Sequence, residues 1–83
     1  MPLQQSEIRE GAEILLRPEN TEFMERMHML MSRDAVYLTF FGASAALETR
    51  RLLWIGNMYV EGETDALEIL KEAIRVYASR KAA

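Results

Sequence analysis

The chain has 83 residues and a net charge of −3; 49% of its residues are hydrophobic, one is histidine and none is cysteine. This length predicts a single domain over residues 1–83, and a domain of this size buries only about 60% of the surface that its unfolded chain exposes. The lack of cysteine excludes disulfides and thiolate metal sites, and the acidic balance gives no support for nucleic-acid binding, so we expect a partner to supply part of the stability.

The N-terminal segment predicts a first helix that ends before Pro18. Gln5 or Ser6 is a suitable opening residue, and Gly11 in the middle is expected to weaken the helix. Because the residue before a proline is disfavoured in helical geometry, Arg17 should lie outside it. The apolar face is formed by Ile8, Ala12, Leu15 and Leu16.

A second helix is predicted directly after this break, with Asn20 or Thr21 as its N-cap. Apolar residues recur at helical spacing along it and define one stripe: Phe23, Met24, Met27, Leu30 and Met31. Residues 32–34 predict a second break, at which Asp34 is a possible cap for the element that follows.

Residues 35–43 fit two interpretations. The β-branched and aromatic residues at 36–41 are typical of a strand, and residues 52–60, with a turn at Gly56-Asn57, would form the hairpin beside it. That alternative is an α+β fold. A helix instead aligns Val36, Phe40, Ala43 and Leu47 on one stripe. We favour the helix, which makes the predicted fold all-α, a small bundle of antiparallel helix pairs.

The same segment bears on location. The longest apolar run, residues 35–47, has about thirteen residues, fewer than the roughly 20 that span a bilayer. No charged stretch precedes an apolar one at the N-terminus, so no secretory signal is expected. We therefore expect a cytoplasmic protein without a membrane span.

The last third, residues 52–77, predicts two helices folded back on each other across residues 61–64. The second begins with Thr64 as its N-cap and carries a broad apolar arc, which should contact more than one neighbouring helix. On its outer side, Glu72 and Arg75 are spaced to pair across one turn.

The first helix of this hairpin is predicted over residues 45–60, with Gly62 as its exit. Gly56 and Asn57 would lie in its interior at a cost of about 1 kcal/mol or less each. We expect the glycine to offset this cost by allowing a close helix approach. The face that packs on the second helix contains Leu52, Ile55, Met58 and Tyr59, with Trp54 beside them.

This hairpin resembles the tetratricopeptide repeat, in which the first helix carries a large residue, Leu-Gly and Tyr, and the second carries Ala, a large residue and Ala. The matching residues are Leu52, Ile55-Gly56, Tyr59, Gly62, Ala66, Leu70 and Ala73-Ile74. The match covers about a third of the chain. The stretch from Gly56 to Ala66 is about two residues shorter than in the repeat, and Leu52 replaces the usual Trp. The resemblance implies paired antiparallel helices and peptide or protein binding.

Few residues suggest catalysis. As a general base, His28 would need an orienting partner and a nucleophile within reach, so we predict a surface or half-buried histidine. The acidic group at residues 61–68 is explained by the start of a helix. No phosphate-binding loop, catalytic triad pattern or dinucleotide fingerprint is present. We predict no enzymatic activity, no cofactor and no metal site.

Partner binding is predicted from apolar side chains that exceed the needs of one small core. Methionine and aromatic residues are frequent where a surface fits an apolar partner helix, although core packing is the first expectation for each. The predicted partner-binding residues are Met24, Met27, Met31, Phe40, Phe41, Trp54 and Tyr59.

These observations predict a non-enzymatic helical protein–protein interaction module. It would act as an adaptor or small chaperone-like subunit, stabilised by a protein partner or by a second copy of itself. The alternative is a small dimeric DNA-binding regulator of strand–helix–helix type, in which residues 36–41 form the strand. The net acidity and the aromatic residues of that segment weigh against it.

Overall fold

The computed structural model describes the backbone of residues 2–33 and 35–83 and the side chains of residues 2–31 and 42–83. Its helices are α1 (Gln5–Leu15), α2 (Thr21–Arg33), α3 (Ala35–Ile55) and α4 (Glu63–Ala82), with a short 3-10 turn at Pro18–Asn20. The predicted all-α class is confirmed, since these residues contain helix pairs and no strand. The α+β alternative is wrong because residues 36–41 belong to α3. Asp34, the predicted cap, lies outside the described residues.

Helix α1 begins and ends much as its sequence predicts. The backbone N–H of Gln4 donates to the Glu7 carboxylate at 3.0 Å, which anchors the first turn. The helix ends at Leu15, before Pro18, as expected. Beyond it, the buried Asn20 amide donates to the Ile14 carbonyl at 2.9 Å. The side chain proposed to cap α2 therefore satisfies a carbonyl at the end of α1.

Helix α4 lies against each of the other three helices. This confirms the prediction that its apolar arc serves more than one neighbour. Its buried residues are Ala66, Ile69, Leu70, Ala73 and Ile74. Helix α1 approaches it at Gly11, where an added Cβ would lie 2.7 Å from Cγ2 of Ile69. The helix begins at Glu63, and its N-cap is Gly62, which was predicted as the exit of the preceding helix, two residues before the predicted cap Thr64.

Helix α3 ends at Ile55, so the prediction of a helix continuing to residue 60 is wrong. The Asn57 N–H donates to the Trp54 carbonyl at 2.8 Å, and the Met58 N–H donates to the Leu53 carbonyl at 2.8 Å. Asn57 has a φ of 71°. These are the two hydrogen bonds and the left-handed residue of a Schellman C-terminal cap. Residues 58–62 then run without regular structure to α4.

Gly56 does permit a close approach, but of a different helix from the one predicted. A Cβ at this position would overlap Cγ2 of Ile14, which belongs to α1. The glycine thus brings the end of α3 against the end of α1, whereas the sequence suggested contact with α4.

The core-facing side of α3 also differs from the predicted one. Its buried residues in the described part are Ala45, Ala46, Thr49 and Leu53. Ile55 and Tyr59, expected to pack on the second helix, are exposed. In the described part of α3, three of these four buried residues are small, and the larger Leu47, Trp54 and Ile55 are exposed. No helix in residues 2–33 and 35–83 is long and apolar enough to cross a membrane.

Candidate functional site

Four large apolar side chains are exposed near the end of α3. Leu47 is 67% exposed, Trp54 70%, Ile55 66%, and Tyr59, in the segment after the helix, 75%. We call these four residues the α3 patch. Scattered exposed apolar residues are normal, but several large ones together mark interaction surfaces.

Helical geometry explains why these residues share one side. At about 100° per residue, positions 44, 47, 48, 51, 54 and 55 fall within an arc of about 120°. Ser44 and Arg51 lie near the middle of that arc, with Leu47 and Trp54 along one edge and Ile55 along the other. The buried Ala46, Thr49 and Leu53 belong to the opposite side.

A groove of about 610 Å³ runs beside the patch, between α3 and the segment that follows it. Its lining combines apolar and charged side chains: Ser44, Leu47, Glu48, Arg50, Arg51, Trp54, Tyr59 and Val60. Leu47, Trp54 and Tyr59 are themselves exposed, so the groove is an open surface depression. Such a shape suits a side chain or a helix edge better than an enclosed small molecule.

Two polar contacts hold the walls of this groove. The Arg50 guanidinium Nε donates to the Val60 carbonyl at 3.1 Å, which ties the segment after α3 back to the helix. Arg26 of α2 donates to Oε1 of Glu48 at 3.1 Å. Arg51, at the centre of the exposed arc, makes no hydrogen bond or ion pair with any described residue. Arg50 and Arg51 therefore bring two positive charges to the groove, and neither forms an ion pair with a described carboxylate.

The predicted partner-binding residues separate into three groups. Met24 and Met27 are 1% and 7% exposed and form part of the core, and Met31 is partly buried against it. The side chains of Phe40 and Phe41 lie outside those described. Trp54 and Tyr59 are exposed and lie together beside the groove. Of the predicted residues whose side chains are described, these two are available to a partner.

Leu47 and Ile55 belong to the same surface but were not predicted to bind a partner. Leu47 was aligned with residues 36, 40 and 43, and the described end of that stripe, Ala43 and Leu47, is exposed. Ile55 was predicted to pack on the second helix because Gly56 was placed in the interior of the first. A helix end at Gly56-Asn57 would have removed the reason for that prediction.

The histidine and the carboxylates considered in the sequence analysis show packing contacts and ion pairs, and no metal site among the residues described. The His28 ring makes an edge-on contact with Tyr77, with centroids 5.5 Å apart, and joins α2 to α4. Arg75 donates to Glu72 at 2.6 and 2.9 Å, as the spacing predicted, and this hydrogen bond is the main reason that the pKa of Glu72 is lowered. Within the described residues, no cluster of three or more His, Cys, Asp and Glu side chains could hold a metal ion.

Comparison with known proteins found no relative of this chain. No model of a protein family matches the chain, and no curated protein or solved structure matches it.

Proposed function

We propose that the protein is a non-enzymatic helical interaction module, an adaptor or chaperone-like subunit, whose α3 patch binds another protein surface. The observation that carries the proposal is the exposure of Leu47, Trp54, Ile55 and Tyr59, each at least 66% accessible, beside one groove. Burying exposed hydrophobic side chains against a partner is favourable because it removes apolar surface from water.

The size of the patch fits this role. A tryptophan or tyrosine buries about 150–250 Å² when fully covered, so Trp54 and Tyr59 together keep on the order of 200–350 Å² exposed. Leu47 and Ile55 bring the total near the roughly 300–600 Å² of the largest apolar patch on a typical monomer, which is often functional. At about 25 cal/mol per Å², covering about 450 Å² contributes roughly 11 kcal/mol before the cost of association, estimated at about 4–15 kcal/mol.

Binding is also favoured by the composition of the patch. Tryptophan, tyrosine and arginine are enriched among the residues that dominate interface energies. Trp54, Tyr59 and Arg51 meet at this groove. The groove also holds Ser44 and Glu48, but Glu48 is paired with Arg26, and His28 lies elsewhere, against Tyr77. A serine without a neighbouring base lacks the activation that nucleophilic catalysis needs.

The proposal is tested by photocrosslinking in the native host. A benzophenone amino acid replaces Trp54 or Tyr59 in the full chain, and a matched variant carries it at Lys71, which is exposed on α4. We expect irradiation to join positions 54 and 59 to a defined protein, which is either a second copy or another chain. Equal, diffuse labelling from all three positions would overturn the proposal.

Substitution provides the second test. Trp54→Ser with Tyr59→Ser should weaken recovery of the crosslinked protein, captured through a probe at Leu47, by at least about tenfold, since each lost anchor of this kind costs about 2 kcal/mol or more. The control variant, Glu68→Ser with Lys71→Ser, changes two exposed residues of α4 and should leave recovery unchanged. Circular dichroism of both variants checks that they remain folded.

A further inference from the structure

We infer that the α3 patch is covered by a second copy of this chain, whose α3 packs antiparallel to the first about a two-fold axis. The inference rests on the proposed function and specifies its partner. The axis passes at the level between Thr49 and Arg50. At this level both the charges and the side-chain sizes along the exposed arc are complementary.

The charges are self-complementary at this register. In an antiparallel pair related by an axis at this level, residues whose numbers sum to 99 lie opposite each other. Glu48 then faces the partner's Arg51, and Arg51 faces the partner's Glu48. Arg51 has no partner among the described residues, and Arg26 contacts only Oε1 of Glu48. Two-fold symmetry makes this pair twice, so each Arg51 of the dimer gains a carboxylate neighbour, which Glu48 shares with Arg26 of its own chain.

The sizes of the apolar side chains follow the same register. The small, exposed Ser44 faces the partner's Ile55, so a large side chain meets a position without bulk. Leu47 lies within about 3 Å, along the axis, of the level of the partner's Trp54 at a rise of 1.5 Å per residue. Each groove beside α3 thereby receives the partner's aromatic edge. The exposed face of α3 in one copy is thus covered by the same face of α3 in the second copy.

The area is adequate for a reversible dimer. Covering about 450 Å² of apolar surface on each copy, with the charged residues between, buries on the order of 1,000–1,200 Å² in total, the lower end of specific interfaces. A small single-domain chain without cysteine or a metal cluster among its described residues gains stability from such association.

Reciprocal charge reversal tests the register. Glu48→Arg places like charges opposite each other twice, and so does Arg51→Glu. Each variant should dimerise roughly tenfold to several hundredfold more weakly than the parent chain. An equimolar mixture of the two variants restores both attractive pairs and should form a one-to-one heterodimer. The double variant carries both reversals in one chain and should form a homodimer again.

Sedimentation velocity and light scattering measure these outcomes from about 1 to 500 µM, a range that brackets micromolar affinity. Glu68→Arg and Lys71→Glu are the matched controls, since they have the same spacing and charges on exposed α4 and should not alter association. Glu48→Arg also removes the ion pair with Arg26, whereas Arg51→Glu leaves it intact. The second variant therefore separates loss of dimer from loss of fold.

Disulfide capture locates the contact directly, because the chain has no cysteine of its own. Ser44→Cys with Ile55→Cys should give a covalent dimer on oxidation. Within one chain these positions lie about 16 Å apart along α3, too far for the roughly 4–7 Å that a disulfide allows between Cα atoms. Ser44→Cys alone should give no covalent dimer on oxidation, since the two Ser44 positions of the dimer are equally distant.

A chain that stays monomeric at the highest concentration overturns the inference, as does a mixture that fails to restore association. Crosslinks from position 54 to a different protein, found in a chain that is monomeric alone, would leave the proposed function standing. If neither a second copy nor another protein is crosslinked there, both proposals fail.

Discussion

Leu53 and Trp54 are adjacent in the chain, but truncating them should change the free energy of unfolding by very different amounts. Leu53 is 0% exposed in the core, whereas Trp54 is 70% exposed on the α3 patch. We expect Leu53→Ala to lower the free energy of unfolding by about 3 kcal/mol, within the roughly 2–5 kcal/mol found for buried leucines. Trp54→Ala removes a larger side chain but should change it by about 0.5 kcal/mol or less.

The difference should be plain in a thermal melt. For a domain of this size, each kcal/mol lowers Tm by about 4–8 °C, so Leu53→Ala should melt about 12–24 °C below the parent chain and Trp54→Ala within about 4 °C. Circular dichroism at low micromolar concentration, with Arg51→Glu present in all chains, keeps self-association from adding to stability. A larger loss for Trp54→Ala than for Leu53→Ala would refute the orientation of α3 on which both proposals depend.

Substitutions at three further positions test local packing. Gly11→Ala should destabilise the fold by about 1–2 kcal/mol despite a better helix propensity, because its Cβ would lie 2.7 Å from the buried Ile69; a more stable variant in urea unfolding would contradict this contact. Asn57→Ala should cost about 1 kcal/mol at φ 71°, while Asn57→Gly should be neutral or stabilising, and equal melts for the two would argue against the left-handed cap. Thr49→Val should stabilise by about 1 kcal/mol, since the buried Thr49 hydroxyl has no hydrogen-bond partner in the described structure; a loss in denaturant midpoint would point to an unseen partner.

The helices that could be predicted well have strong local signals. Pro18 fixes the end of α1, and the Phe23, Met24 and Met27 stripe of α2 is buried as its spacing indicates. The apolar arc of α4 was recognisable because charged residues occupy its other side. In each case the signals for the helix ends agree with the hydrophobic periodicity, so local sequence is sufficient to predict the helix.

The end of α3 could not be placed because Gly56 and Asn57 fit two roles. Inside a helix they cost stability, and at its end they form a favourable cap. The sequence alone does not show whether the hydrogen bonds from Asn57 and Met58 close the helix or continue it. Residues 58–60 were therefore assigned to the helix, which carried Tyr59 to the core-facing side. The resemblance to the tetratricopeptide repeat has the same dependence, because Tyr59 would need to follow Gly56 within one helix.

The orientation of α3 is a different problem, and it bears on function. Leu53 lies on the opposite side of the helix from Leu47, Trp54 and Ile55, so both sides carry large apolar residues and periodicity does not select the buried one. Packing against the other helices selects it instead, and it buries Ala45, Ala46, Thr49 and Leu53. Leu47, Trp54 and Ile55 are then exposed, together with Arg51, which has no described partner. Apolar residues on two sides of α3 make its orientation ambiguous in the sequence. In the fold, the other helices cover one of these sides, and the other stays exposed. A helix of this kind is typical of a buried position, and a second α3 at the α3 patch would bury it on both sides.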